Sequence, residues 1–264
     1  MNYPQYFEIA RDKWKQENRG VFPPKLENFY NDPARPIPVN TFGLDYAAAV
    51  NSISEKVFNF FSNNKRQGIM LEYPDIWKSV GEDLKIISNY IVPHLENTMY
   101  GCHLYVDKIY IYRTTKCERD SSYIWHYDNN PNEIVKNIIY LNDVDEDNSP
   151  FEYLSKPNGK GYMFNSYRQG PEKWNKAPNG SRVTEEVKEL KVSGHTPQKV
   201  TGPKGTTFAF NNNTCHRANP VIKGYRDVVN IRVKPTINKI NYIDGNYTSS
   251  FEKSGVVSPN PNEI

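Results

Sequence analysis

Thirteen residues, HLYVDKIYIYRTT at positions 103–115, do most to limit what this chain can fold into. They are crowded with Tyr, Ile and Val, side chains that suit a pleated, half-buried surface. NIIYLNDV (137–144), TTFAFNN (206–212) and DVVNIRVKP (227–235) repeat that character. A β core is therefore required in the C-terminal half. Ahead of it the period changes. In LDYAAAVNSISEKVFNFFSN (44–63), Leu44, Ala47, Ala48, Ile53, Val57, Phe60 and Phe61 fall at helical spacing. PDIWKSVGEDLKIISNYIVPHL (74–95) predicts a second helix, entered near Pro74 and Asp75 and ended by Pro93. Residues 1–42 hold six prolines and are expected to wrap the surface with one or two short helices. Two helices followed by at least five short strands give an α+β class with a mainly β core. A sandwich or barrel with the N-terminal helices packed outside meets that description.

With 264 residues the chain can bury a full core, and a single domain is expected. Its parts are a helical N-terminal region (1–99), the β core (100–235) with a lid-like insert (155–200), and a C-terminal extension (236–264). The last ten residues look like a loose tail. Thirty-three basic and 30 acidic residues leave a net charge of +3, too small to point to nucleic acid or an anionic membrane. No apolar stretch approaches the ~18 residues that span a bilayer. The N-terminus, MNYPQYFEIARDKWKQ, has no apolar secretory core, so the expected compartment is cytoplasmic. Cys102, Cys117 and Cys215 are widely spaced and form no zinc pattern, and free thiols in a reducing environment are expected.

The chemistry gathers around WHYDNN (125–130). On extended chain His126 and Asp128, two residues apart, face the same side with Cβ atoms roughly 7 Å apart. They can hold one metal from two corners; Trp125 and Tyr127 then face the other way, into packing, and Asn129 and Asn130 are expected to turn the chain out toward the pocket mouth. His216, in NNNTCHRANP after the TTFAFNN run, is the candidate third ligand. Its neighbour Cys215 should point away from it. Two histidines and one carboxylate leave coordination positions open. That suits a non-haem ferrous ion that must take a co-substrate and O2 together; a structural zinc would close its shell with four protein ligands. Ten residues past His216 stands Arg226, able to pair bidentately with a carboxylate. A 2-oxoacid could chelate the metal at one end and meet Arg226 at the other, which is the logic of 2-oxoglutarate use. Arg232 is a rival clamp but lies deeper in its strand.

Four segments in order, WHYDNN, IIYLNDVDEDNSPFEYLSKPNG, VTGPKGTTFAFNNNTCHRANP and YRDVVNIRV, resemble the Fe(II)/2-oxoglutarate-dependent dioxygenases, within them the phytanoyl-CoA dioxygenase-like branch. The resemblance covers roughly residues 100–235. Ser149 stands where glycine is common in the family, and SKPNG replaces the usual end of that segment. The resemblance implies a double-stranded β-helix (a cupin-like jelly roll). It implies His126, Asp128 and His216 as metal ligands and Arg226 as the clamp for the distal carboxylate, with Fe(II), 2-oxoglutarate and O2 as cofactor and co-substrates. Family members often add a hydroxyl or amide side chain from a neighbouring strand, for which Tyr140, Tyr112 and Asn137 are candidates. Halogenating relatives put Ala or Gly at the carboxylate position, so Asp128 favours hydroxylation, desaturation or ring closure.

Other features carry blander readings. The acidic turn at Asp143, Asp145, Glu146 and Asp147 lacks the spacing of a calcium loop and is read as solvated. His94, His103 and His195 are not expected to be ligands, and Gly205 is expected to serve a turn. In the insert, Tyr167, Arg168 and Trp174 are candidate substrate contacts as a group, as are Tyr162 and Phe164, though for each alone packing onto the sheet is the better reading. Arg168, Lys173 and Arg182 favour an acidic group on the substrate. A soluble small molecule is the expected partner, and the oligomeric state is open. The competing function is a non-catalytic jelly-roll module that binds a ligand or sugar and retains the metal site.

Overall fold

The structure, a computed structural model, describes residues 3–19, 21, 23–25, 29, 34–63, 70–72, 77–116, 121–166, 168–170, 173–174 and 177–239. The expected start of the second helix at Pro74 and Asp75, Cys117 and the C-terminal tail lie outside the described residues.

Four helices and ten strands make up the described fold. They are α1 (Tyr3–Glu17), α2 (Leu44–Asn63), β1 (Met70–Glu72), α3 (Trp77–Leu95), β2 (His103–Thr115), β3 (Val135–Tyr140), β4 (Phe151–Ser155), β5 (Arg168–Gly170), β6 (Lys173–Trp174), α4 (Thr184–Val192), β7 (Thr196–Val200), β8 (Thr207–Asn211), β9 (His216–Ala218) and β10 (Tyr225–Thr236). A five-stranded sheet runs β1-β2-β10-β3-β8 and a three-stranded sheet β7-β4-β9; β5 and β6 form a separate hairpin. All the strand pairs are antiparallel.

Alternation along the strands sorts the core into layers. Val229, Ile231 and Val233 of β10, Val135 and Ile139 of β3, and Ile109 and Ile111 of β2 face the helices. There they meet Tyr46, Ile53 and Val57 of α2 and Leu84, Ile87 and Ile91 of α3. The alternate residues Val228, Ile138, Tyr140, Phe208 and Phe210 face inward and meet Phe151, Tyr153 and Val200 of the smaller sheet. The outer side of the smaller sheet is covered by Trp125, Tyr127, Val183 and Val187, which pack on Leu154 and Cys215. The inner space between the two sheets is where the functional residues converge.

Three sequence expectations need correction. Residues 3–17 form a full helix whose Tyr6, Phe7, Ala10 and Trp14 are buried, rather than a surface wrap. That apolar spacing was legible but was masked by the prolines that follow it. Pro93 does not end α3, which continues to Leu95 and through a π-helical turn (Glu96–Tyr100). Proline deletes one backbone donor, but the burial of Val92, Leu95, Met99 and Tyr100 holds the chain helical past it. The stop comes at Gly101, whose left-handed backbone lets its N–H reach the Glu96 carbonyl at 2.7 Å. Asn129 and Asn130 do not turn the chain outward: Asn129 has φ 51, and both are buried.

Two positions explain themselves through backbone conformation. Gly205 has φ +87, and a Cβ there would sit 2.6 Å from Val39 Cγ2. Ser149, at the position where the resemblance implied glycine, has φ 68 and is fully buried. The acidic turn closes on itself, with Asp145 Oδ1 accepting from the Asp147 N–H at 2.8 Å.

Candidate metal centre

His126 and His216 lie on neighbouring extended segments that exchange both backbone hydrogen bonds, each N–H reaching the other's carbonyl at 2.9 Å. The rings are thereby brought to 4.3 Å between centroids. Each Nδ1 lies 2.7 Å from the carbonyl two residues upstream, Ile124 for His126 and Thr214 for His216. A carbonyl only accepts, so each Nδ1 carries the proton and each Nε2 presents a lone pair inward. Asp128 joins them because its N–H is fixed on the Asn212 carbonyl at 2.9 Å, and its Oδ2 stands 4.0 Å from His216 Nε2. One ligand atom from each of His126, Asp128 and His216 lies within 4.8 Å of the others, a grouping that can hold a metal ion.

The charge state is ready for a cation. Burial lowers the basicity of both imidazoles, His216 to about 3, with His126 and Lys136 adding to the burial and Asp128 opposing it. Burial alone would raise the Asp128 carboxyl, but Lys136, His216 and His126 outweigh it and hold the group below its ordinary range. At neutral pH two neutral nitrogens and one carboxylate therefore face one point, and metal binding there has no proton to displace. Phe151 stacks on the His216 ring at 5.4 Å and Phe210 meets it edge-on at 5.0 Å, fixing its orientation.

Arg226 lies on the facing wall, the inner face of the larger sheet, two residues before Val228 on β10. It is 3% exposed, and among the described residues its Nε and Nη1 have no hydrogen-bond partner; Nη2 donates to Thr114 Oγ1 at 3.3 Å. A buried guanidinium with open donors is costly unless an anion fills it. The rival Arg232 is already used: its Nε and Nη2 donate to both oxygens of Asp107 at 2.8 and 2.7 Å.

The secondary candidates divide. Tyr140 and Tyr112 are on the inner face near Arg226. The Tyr140 hydroxyl donates to the Val200 carbonyl at 2.6 Å and accepts from the Phe151 N–H at 3.2 Å, so it ties the two sheets together. Burial pushes its pKa up to about 12 although the neighbouring Arg226 pulls it down. Asn137 is on the opposite face of β3, bonded to Thr207 Oγ1 at 2.8 Å, and does not reach the site. Strand parity with Val135 and Ile139 gave that answer in the sequence. Arg168 and Trp174 pair across the β5–β6 hairpin, while Tyr167 lies outside the described residues. Sequence reasoning missed Lys136, whose Nζ is 2.8 Å from Asp128 Oδ2, and Thr114. Both were readable only once the register of β2, β3 and β10 was known.

No family model matches the sequence, and no curated protein matches it. Solved structures do match the fold. EctD from S. alaskensis, with 2-oxoglutarate and 5-hydroxyectoine, aligns at TM-score 0.56 and 12% identity over 83% of this chain and 78% of its own. SnoN, an epimerase in complex with Fe3+, alpha ketoglutarate and nogalamycin RO, aligns at TM-score 0.52 and 12% identity, covering 88% and 84%. HygX from Streptomyces hygroscopicus, with nickel and 2-oxoglutarate, aligns at TM-score 0.50 and 17% identity, covering 81% and 87%. The chain has the cupin-like jelly-roll fold of these proteins, and the resemblance to 2-oxoglutarate oxygenases holds at the level of that fold.

Proposed function

We propose that this chain is an Fe(II)- and 2-oxoglutarate-dependent oxygenase that hydroxylates a C–H bond of a small-molecule substrate. One juxtaposition carries the reading: the His126–Asp128–His216 triad, built around β9 of the smaller sheet, and the open donors of buried Arg226 on the larger sheet face the same inner space. The triad fits a divalent metal by donor type and spacing, and Arg226 fits a distal carboxylate by charge and by its unfilled donors.

Bound there, iron and 2-oxoglutarate would supply an O2-dependent oxidation in which R–H, O2 and 2-oxoglutarate give R–OH, succinate and CO2. The chain's own residues do the rest. His126 and His216 hold their Nε2 atoms inward through the Nδ1–carbonyl bonds. Asp128 supplies the one protein anion among the three ligands. Arg226 and Thr114 set the orientation of the co-substrate at its far end, and Tyr140 buttresses that end between the sheets. Phe151, Phe208 and Phe210 line the inner space with carbon and keep water from the reacting centre. The intact carboxylate at Asp128 supports oxygen transfer and speaks against halogenation. SnoN, an epimerase on the same fold, marks the other outcome that the fold permits.

Among the described residues no helix is long and apolar enough to cross a membrane. The small net charge supports a diffusible small molecule as substrate, and a cytoplasmic setting is part of this reading.

The deciding experiment is anaerobic addition of Fe(II) and 2-oxoglutarate. A metal-to-ligand charge-transfer band in the visible is expected, followed under air by succinate formation. Both should disappear in His126→Ala. Well-folded protein with no band would instead support the non-catalytic binding module.

A further inference from the structure

Lys136 belongs to neither the triad nor the Arg226 end, and the rest of the inner wall indicates what it can do. It sits on the inward face of β3, opposite Phe210 on one side and Arg232 on the other. Its Nζ meets Asp128 Oδ2 at 2.8 Å. That oxygen is the one turned toward His216 Nε2, so a divalent ion held by the triad competes for it with the ammonium. At equal distance a doubly charged cation repels the ammonium more than one carboxylate attracts it. A loaded site therefore favours a second anion at Lys136.

Exposure says which anion. The Lys136 and Asp128 side chains are 18% and 19% exposed, the His216 side chain 7%, and Arg226 only 3%. The site opens at Lys136 and is closed at Arg226. Arg226 and the residue opposite Lys136, Arg232, are six apart on β10, roughly 20 Å along the strand. The far end of the co-substrate lies at the closed end, and Lys136 stands where a second molecule enters.

The charge on the wall agrees. Among the described residues, strand positions on the inner face of the large sheet bring five cations, Lys108, Lys136, Arg226, Arg232 and Lys234. Against them, among the described side chains, stand two carboxylates, Asp107 and Asp128. A 2+ metal and a 2− co-substrate add nothing to that surplus. A further cation is carried beside the triad: Arg182 pairs by backbone with His126.

We propose that Lys136 is a substrate-recognition residue, and that the substrate is a small molecule whose anionic group, a carboxylate or a phosphate, is received by its ammonium at the mouth of the site. The inference rests on the oxygenase reading above and narrows it to acidic substrates. One charge-assisted hydrogen bond of this kind corresponds to about a tenfold preference or more for an acid over its neutral analogue.

The test is binding, not turnover. Protein equilibrated anaerobically with Ni(II) and 2-oxoglutarate is titrated by calorimetry with matched pairs: hexanoate and hexanamide, glutamate and glutamine, glycerol 3-phosphate and glycerol. At least one acid is expected to outbind its neutral partner tenfold or more. The two acid types separate carboxylate from phosphate recognition. The preference should vanish in Lys136→Met, persist in Lys136→Arg, and weaken in Arg182→Glu. A panel in which no acid outbinds its partner, or a preference that survives Lys136→Met, overturns the proposal. The Fe(II)/2-oxoglutarate band is recorded separately for each protein. Its absence from the wild type counts against the oxygenase reading, whereas its loss in both Lys136 variants alone assigns Lys136 to holding Asp128 and overturns the substrate role.

Discussion

Arg232 and Asp107 are joined by two near-parallel hydrogen bonds, 2.8 and 2.7 Å, with side chains only 6% and 8% exposed. A bulge makes the pair possible. Arg232 faces Lys108 and Val233 faces Val106, so Asp107 is the extra residue of β2. Parity flips there: Ile109 and Ile111 face the helices before it, and so do Val106 and Leu104 beyond it. Asp107 is thereby turned onto the arginine side of the sheet. The same pairing removes Arg232 from the competition to bind a ligand and leaves Arg226 with the open donors.

Removing one partner of this pair should cost far more than removing both. Asp107→Ala leaves a buried guanidinium uncompensated and is expected to destabilise the fold by about 3–5 kcal/mol. The Asp107→Ala/Arg232→Met double variant should recover much of that loss. Urea unfolding of the four proteins in a double-mutant cycle checks it; equal losses in the single and double variants would refute the coupling.

At the closed end of the site, Arg226→Ala should weaken 2-oxoglutarate binding by about 1.5–3 kcal/mol, the value of a charge-assisted pair, or roughly ten- to a hundredfold. Arg226→Lys should restore only part of it, because one ammonium cannot reproduce the two-pronged contact. Titrating the charge-transfer band with 2-oxoglutarate at saturating Fe(II) measures this. Iron binding itself should be unaltered, since Arg226 is not among the three metal-ligating residues.

Much of this was legible in the sequence because short-range rules decide it. The Tyr, Ile and Val content of 103–115 and the helical spacing in 44–63 matched β2 and α2 to the residue. His126, Asp128 and His216 were readable as donors, and the i,i+2 spacing placed the first two together. What escaped depends on register between distant strands. Lys136 gains its meaning from Asp128 and Arg232, and Asp107 from a bulge whose position nothing local announces. Asn137 was misplaced for a different reason: its parity was available, but the side-chain type was weighed above the face it occupies.

Metal should stabilise this protein through the triad alone. Ni(II) at about a hundred times its dissociation constant adds about 2.7 kcal/mol to the folded state. In a chain of this size each kcal/mol moves Tm by roughly 2–4 °C. A rise of several degrees is expected with Ni(II), reversed by a chelator and absent in His216→Ala. An equal rise in that variant would place the metal elsewhere.

Away from the site, His103 links α1 to the sheet, and the link should be sensitive to pH. Its Nε2 meets Glu17 Oε2 of α1 at 2.8 Å, and its Nδ1 is 3.7 Å from Glu96 Oε1. Glu96, foremost, and Glu17 raise the imidazole above its ordinary value against the opposing effect of burial. A raised folded value means the protonated form stabilises the fold. That contribution is complete below about 6.5, the unfolded value, and is lost as pH rises through the higher folded value. Thermal melts from pH 6 to pH 9 should therefore show wild type losing stability relative to His103→Gln, with the gap closing toward alkaline pH. Glu17→Gln should narrow the gap at pH 6, and less than loss of the histidine would, because Glu17 is 44% exposed and its interaction is screened. Parallel pH curves for wild type and His103→Gln would show that the histidine does not titrate with folding.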